Sequence, residues 1–202
     1  MKKVLILDDR IERKKTHMSS SALQKLLECV NDNYLAIVSG EDVKKESISK
    51  YFADYDLLAI HYSWANDKSL IQDIDDFAKS NNKLLIFFSG GIAQTLLLDD
   101  FKRLSINSAE FYSDKLPEFI EVYATKEIDL PLLHFLYGNN KNLALFMKYR
   151  QMVWKDSKEN GTDEFYFNYE SYLEPIIKAS SSETLDELNK VIYNEIIKLK
   201  SL

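Results

Sequence analysis

The chain has 202 residues, of which 46% are hydrophobic and 12% aromatic, enough to build the core of one ordinary domain or of one domain with an extension. Its net charge of −6 makes nucleic-acid binding unexpected, because an acidic surface repels phosphates. No segment reaches the roughly 18 apolar residues of a membrane span. A single cysteine, Cys29, cannot form an internal disulfide. We therefore expect a cytoplasmic protein that does not bind membranes.

Short apolar runs recur along the first 125 residues. They are nearly continuous rather than alternating, which is typical of strands that are covered on both faces of a sheet. The predicted strands are VLIL (4–7), YLAIV (34–38), DLLAI (56–60), KLLIFF (83–88) and, with a weaker pattern, AEFY (109–112).

Helix-length stretches separate these runs. The basic run RIERKK (10–15) is typical of the solvated start of a helix. Three further stretches have the apolar spacing of amphipathic helices. They are SSALQKLLECV, with Leu23, Leu26, Leu27 and Val30 on one face; KSLIQDIDDFAKS, with Leu70, Ile71, Ile74 and Phe77; and IAQTLLLDDFKRL.

The alternation of strands and helices predicts βαβ units and a parallel sheet. Five strands with intervening helices predict an α/β domain over residues 1–125 with a flavodoxin-like fold and the strand order 2-1-3-4-5. Ligands of such folds bind at the carboxyl ends of the strands, beside the point where the strand order reverses.

After residue 125 the alternation stops, and residues 126–202 are predicted to form an α-helical C-terminal region. Helices are expected at 130–138 and 142–157, a turn-rich loop at 158–164, and an aromatic segment at 164–175 that packs on the sheet or binds a protein. The last stretch, 181–202, has the clearest helical stripe, with a capping box from Ser180 and Glu183 or from Thr184 and Glu187.

Polar residues stand at the carboxyl ends of the predicted strands. Strand 1 ends at Asp8 and Asp9, strand 3 at His61, and strand 4 at Ser89, which two glycines follow. Strand 5 is expected to end near Lys115. Because parallel strands bring these ends to one edge of a sheet, the side chains are predicted to share one crevice.

This series of residues resembles the receiver domain of two-component response regulators, over about residues 1–120. In that family two acids after strand 1 bind Mg²⁺, which prefers oxygen ligands. An aspartate after strand 3 accepts a phosphoryl group, a hydroxyl after strand 4 contacts the phosphate, and a lysine after strand 5 pairs with its charge. The resemblance gives these roles to Asp8 and Asp9, to Ser89 and to Lys115.

The chain departs from the family at the phosphoacceptor, where His61 replaces the aspartate. Three interpretations of His61 stay open: a packed neutral imidazole, a group that mimics or binds an anion, and a phosphorylated histidine. Nearby acids would favour the imidazolium form. In that form His61 would pair with Asp8 or Asp9 and occupy the metal site.

The other site residues also have alternatives. Asp8 and Asp9 can end a strand and cap a helix rather than bind metal. Ser89-Gly90-Gly91 can form a sharp turn or cradle a phosphate. Trp64 can pack in the core or anchor a partner.

An α/β-hydrolase is not expected, because no G-x-S-x-G motif is present. A hydrolytic site would combine His61 with Asp9 or Asp67. The sequence does not evidently pair a nucleophile with a base in this combination, which argues against hydrolysis.

The favoured function is that of an atypical receiver, a signalling module that acts by protein–protein contact without aspartate phosphorylation and is not an enzyme. It needs no cofactor, or Mg²⁺ if the acidic pair is functional. The resemblance implies a kinase-like or ATPase-like protein partner. The alternative is a Rossmann-like enzyme or a small-ligand or nucleotide-binding protein with a site around Asp8, Asp9, His61 and Ser89.

Overall fold

The computed structural model describes residues 1–10, 12, 14–40, 43, 48–65, 67–93, 95–98, 101–128, 130–138 and 194. These residues form an α/β structure, which confirms the predicted class. In chain order the elements are β1 (Val4–Asp8), α1 (Lys14–His17), α2 (Ser20–Asn31), β2 (Leu35–Ser39), α3 (Ile48–Phe52), β3 (Leu57–His61), α4 (Lys68–Ser80), β4 (Leu84–Ser89), β5 (Leu96–Leu98), β6 (Arg103–Asn107), α5 (Ser108–Phe111), α6 (Lys115–Thr125) and α7 (Pro131–Tyr137).

The sheet has six strands in the order β2-β1-β3-β4-β6-β5, so the prediction of five strands is wrong. Five of these strands run parallel to their neighbours and keep the predicted spatial order: β2, β1, β3, β4 and β6. The sixth, β5, pairs antiparallel with β6 at the edge of the sheet. The structure is therefore compatible with a flavodoxin-like fold that carries one extra edge strand.

Two predicted elements between residues 92 and 112 are wrong. The stretch IAQTLLLDDFKRL was expected to form a helix, but it contains β5 and the start of β6. The stretch AEFY at 109–112 was expected to be a strand, but α5 covers Ser108–Phe111. Asn107 starts this helix, because its side chain accepts a hydrogen bond from the Ala109 N–H.

The strands form because their side chains are apolar on both faces. All five residues of β1 and all five of β3 are buried. Alternate side chains along β1, β3 and β4 pack against α3 and α4 in one cluster. The other face contributes Phe88, which stacks on Phe111 with ring centroids 4.2 Å apart.

Helix α2 packs against α6 but with a slightly different face from the predicted one. Its N-cap Ser19 accepts a hydrogen bond from the Ala22 N–H. The buried residues are Ala22, Leu26 and Cys29, whereas Leu27 is 51% exposed. Cys29 lies against α6, and burial is the main cause that raises the pKa of its thiol to about 11.

Helix α4 buries Leu70 and Ile74 as predicted, together with Ala78 and Asp75. Asp67 is its N-cap and accepts a hydrogen bond from the Ser69 N–H at 2.9 Å. Capping the start of α4 is therefore a structural role of Asp67. The hydrolytic combination of His61 with Asp67 stays a prediction.

The chain divides into two compact units, Met1–Phe135 and Leu136–Leu202. Leu132, Leu133 and Phe135 of α7 are buried and belong to the first unit. The domain boundary at residue 125 stays a prediction. The predicted elements from residue 142 onward lie outside the described residues, except for Asn194, which is helical. Among the described helices, none combines the length and apolarity of a membrane span.

Candidate functional site

The carboxyl ends of β1 and β3 bring Asp8, Asp9 and His61 together. The two strands are parallel neighbours, and β3 in turn pairs with β4, which aligns His61 with Phe88. One ligand atom from each of Asp8, Asp9 and His61 lies within 4.8 Å of the others. The predicted convergence of these three residues is therefore confirmed.

Asp8 is fully buried at the centre of this group. Its Oδ1 accepts a hydrogen bond from the Arg10 N–H at 2.9 Å. Its Oδ2 accepts one from the Tyr112 hydroxyl at 2.7 Å, across 104 positions of sequence. Burial of a carboxylate is costly unless hydrogen bonds replace water, and these two bonds do so.

We expect Tyr112→Phe to lower the free energy of unfolding by about 1–3 kcal/mol, because a buried carboxylate oxygen loses its donor. Denaturant unfolding monitored by fluorescence measures this change. Tyr34→Phe is the control, since Tyr34 is half-buried on the connection to β2. Equal destabilisation by the two variants would contradict the assigned role of the Tyr112 hydroxyl.

His61 is paired with Asp9. The imidazole is 2% exposed, and its Nδ1 lies 2.9 Å from Asp9 Oδ1. The exposed Ser63 joins the two: its Oγ lies 2.9 and 2.8 Å from the Asp9 carboxylate oxygens and also contacts His61 Nδ1. Three polar side chains thus share one short hydrogen-bonded chain at the mouth of the site.

The contacts of Nδ1 place a proton on this nitrogen. The Ser63 N–H, 3.2 Å away, would require a lone pair there, whereas the carboxylate of Asp9, 2.9 Å away, requires a proton. The shorter and charge-assisted contact is the stronger of the two. With Nδ1 protonated, the Ser63 hydroxyl donates to Asp9, and the carboxylate has two donors.

The imidazole ring of His61 also packs against an aromatic side chain. Phe88 meets the His61 ring edge to face, with centroids 5.2 Å apart. Phe88 is also packed against Tyr112, the residue that binds Asp8. Phe88 and Asp9 therefore both hold the His61 ring, as expected for a packed side chain at a strand end.

The donor set fits a divalent cation only under one condition. Each oxygen of Asp8 accepts a single hydrogen bond and keeps a lone pair for a metal. To bind the metal through Nδ1, the atom that lies beside Asp9, His61 has to lose its Nδ1 proton. Carboxylates suit Mg²⁺, whereas an imidazole ligand shifts the preference toward Mn²⁺ or Zn²⁺.

Ser89 ends β4 in a tight turn. Its Oγ accepts a hydrogen bond from the Gly91 N–H at 3.3 Å. Asn107, its register partner on β6, donates from Nδ2 to the carbonyl oxygens of Gly90 and Ile92. These contacts favour the interpretation of Gly90 and Gly91 as part of a sharp turn.

Lys115 does not follow the last parallel strand, so its predicted position is wrong. That strand is β6, which ends at Asn107, and Lys115 is the first residue of α6. The position that the resemblance assigned to a lysine is thus occupied by an amide side chain. The role that the resemblance gives to Lys115, pairing with a phosphate charge, stays a prediction.

Trp64 is packed in the core and is only 7% exposed. Its Nε1 donates a hydrogen bond to the Gly40 carbonyl oxygen at 2.7 Å. This burial accounts for Trp64 through packing. Its role as a partner anchor stays a prediction that its exposure does not support.

Sequence reasoning missed two residues of the site, Tyr112 and Ser63. Tyr112 was assigned to a strand, and no local pattern links it to Asp8. Ser63 lies two residues after His61, but only the turn after β3 brings its hydroxyl back to Asp9.

Comparisons of the chain with protein-family models, with curated proteins and with solved structures found no match.

Proposed function

We propose that the protein is an atypical receiver module, which acts through protein–protein contact without aspartate phosphorylation. The observation that carries this proposal is the state of His61. The residue stands where the resemblance expects a phosphoacceptor, yet its side chain is 2% exposed and is bonded to Asp9. An imidazole in this position cannot form an acyl phosphate.

The contacts of Asp9 support the same proposal. The Nδ1 of His61 and the hydroxyl of Ser63 both lie within hydrogen-bond distance of the Asp9 carboxylate, so protein groups already occupy an acid that would have to bind the metal. At the end of β6, Asn107 replaces the lysine that would pair with a phosphoryl group. The pocket therefore satisfies Asp9 with its own donors, and the end of β6 carries an amide where the resemblance expects the partner of an added phosphate.

A protein partner follows from the resemblance, which implies a kinase-like or ATPase-like protein. The net charge of −6 argues against nucleic acid as the partner.

The test is thermal unfolding of the full chain with Mg²⁺, and with Mg²⁺ and beryllofluoride, a mimic of the acyl phosphate. A ligand that binds only the folded state raises the midpoint. We expect no shift under either condition. A shift with Mg²⁺ that disappears in Asp9→Asn would contradict the proposal, because the acidic pocket would then bind metal as an active receiver does.

A second candidate function is a metal-dependent enzyme or small-ligand binder that uses the same crevice. The grouping of Asp8, Asp9 and His61 within 4.8 Å favours it, and Ser63 adds the hydroxyl that the sequence did not place. Here the midpoint should rise with Mn²⁺ or Zn²⁺ more than with Mg²⁺. The rise in the midpoint should vanish in His61→Ala. It should persist in the control His17→Ala, because His17 is exposed on α1.

A further inference from the structure

A positively charged cleft lies where β4 and β6 begin, at the end of the strands opposite to the one that holds Asp8 and His61. The C-terminal half of α4 forms one wall, and the first residues of the two strands form the other. Its polar lining consists of Asp75, Lys79, Asn82, Lys83, Lys102 and Arg103.

The cleft is open because of how β4 connects to β6. Leu85 and Arg103 are register partners on these strands, so their side chains lie on the same face of the sheet, the face that α4 covers. The connection between them contains the strand β5, and its described residues include no helix. Without a crossover helix beside α4, Arg103 remains partly exposed on this face.

Two cations of the cleft are held by a buried acid. Asp75 is 4% exposed, and its Oδ2 lies 2.8 Å from both Lys79 Nζ and Arg103 Nη1. Burial acts to raise the pKa of Asp75, but the hydrogen bonds from Lys79 and Arg103 outweigh it and lower that pKa. Asp75 therefore stays ionised and fixes both side chains in the lining.

The other two cations bind neutral acceptors. Lys83 Nζ donates to the carbonyl oxygens of Ala53 and Tyr55. Lys102 Nζ donates to Asn82 Oδ1 at 2.6 Å. These bonds order the ammonium groups without neutralising them, so the described residues of the lining comprise four cations and one carboxylate, an excess of three positive charges.

We propose that this cleft binds a phosphate-type oxyanion, either free or as a phosphate ester. A doubly charged tetrahedral anion matches the charge excess and can accept several hydrogen bonds at once. Asn82 adds a donor, because its Oδ1 is occupied by Lys102 and its amide Nδ2 can face the ligand. Since the cations are already ordered by protein acceptors, little side-chain entropy is lost on binding.

The experiment measures binding of inorganic phosphate and of phosphoserine to the full chain by calorimetry and thermal unfolding, with sodium chloride at matched ionic strength as the reference. Lys102→Gln removes one charge of the cleft and should weaken binding about tenfold, as expected for one charge-assisted hydrogen bond. Lys25→Gln is the matched control, since Lys25 is an exposed lysine of α2.

Tighter binding of phosphoserine assigns the cleft to phosphate esters, and tighter binding of inorganic phosphate assigns it to the free anion. A midpoint that rises no more with phosphate than with chloride overturns the proposal. Equal affinity of Lys102→Gln and Lys25→Gln overturns it too. The result is independent of the receiver proposal, because none of these residues belongs to the crevice of Asp8, Asp9 and His61.

Discussion

His61→Asp should make the unfolding midpoint depend on Mg²⁺. The substitution adds a third carboxylate to Asp8 and Asp9 and removes the imidazole whose Nδ1 now lies 2.9 Å from Asp9. Without metal, repulsion among the three carboxylates should lower the midpoint. A Mg²⁺ concentration one hundred times the dissociation constant should then restore about 2.7 kcal/mol, because the ion binds only the folded chain.

Thermal unfolding across a Mg²⁺ titration measures this effect, and His17→Asp is the matched control. His17 is exposed on α1, so the same change of residue there adds a carboxylate outside the crevice. The control should show no Mg²⁺ dependence. If His61→Asp were equally insensitive to Mg²⁺, then His61 would not be the residue that keeps the metal out.

Gly40→Ala should destabilise the protein by about 1–3 kcal/mol, the usual cost of overpacking a close-packed core. A Cβ at Gly40 would overlap Trp64 Cδ1 and lie 3.0 Å from Trp64 Cγ. Trp64 cannot move away freely, because it is buried and its Nε1 is hydrogen-bonded to the Gly40 carbonyl oxygen. Chemical denaturation measures the loss.

Gly90→Ala is the control for this prediction, since a Cβ there would meet no atom within 4 Å. It should change stability by much less. Combining Gly40→Ala with Trp64→Leu should cost less than the sum of the two single changes, because the smaller side chain removes the clash. Additive costs would show that the Gly40 effect does not arise from Trp64.

The parallel core and the convergence of Asp8, Asp9 and His61 were predictable from sequence. The strands β1, β3 and β4 are continuous apolar runs, and the ends of neighbouring parallel strands always share an edge. The helix expected at 92–104 failed because its leucines suit either an amphipathic helix or a short edge strand. Periodicity alone cannot separate these two.

The start of α5, which was wrongly predicted as a strand, does have a signal in the sequence. Asn107 followed by Glu110 three residues later is typical of a helix start, but the aromatic pair in AEFY suggested a strand. The contacts of Tyr112 and Ser63 had no such signal. They depend on where a helix end and a turn lie in space, which local sequence patterns do not encode.

The hydrogen bond between Asp8 and Tyr112 has a consequence for synthesis. The strand β1 occupies an interior position in the sheet, yet its terminal carboxylate obtains one of its two donors from a residue 104 positions later. A nascent chain that has not yet exposed Tyr112 must leave this carboxylate in water. The Asp8 carboxylate can therefore reach its native hydrogen bonds only after α5 and the residue that follows it have been synthesised, later than every strand of the sheet.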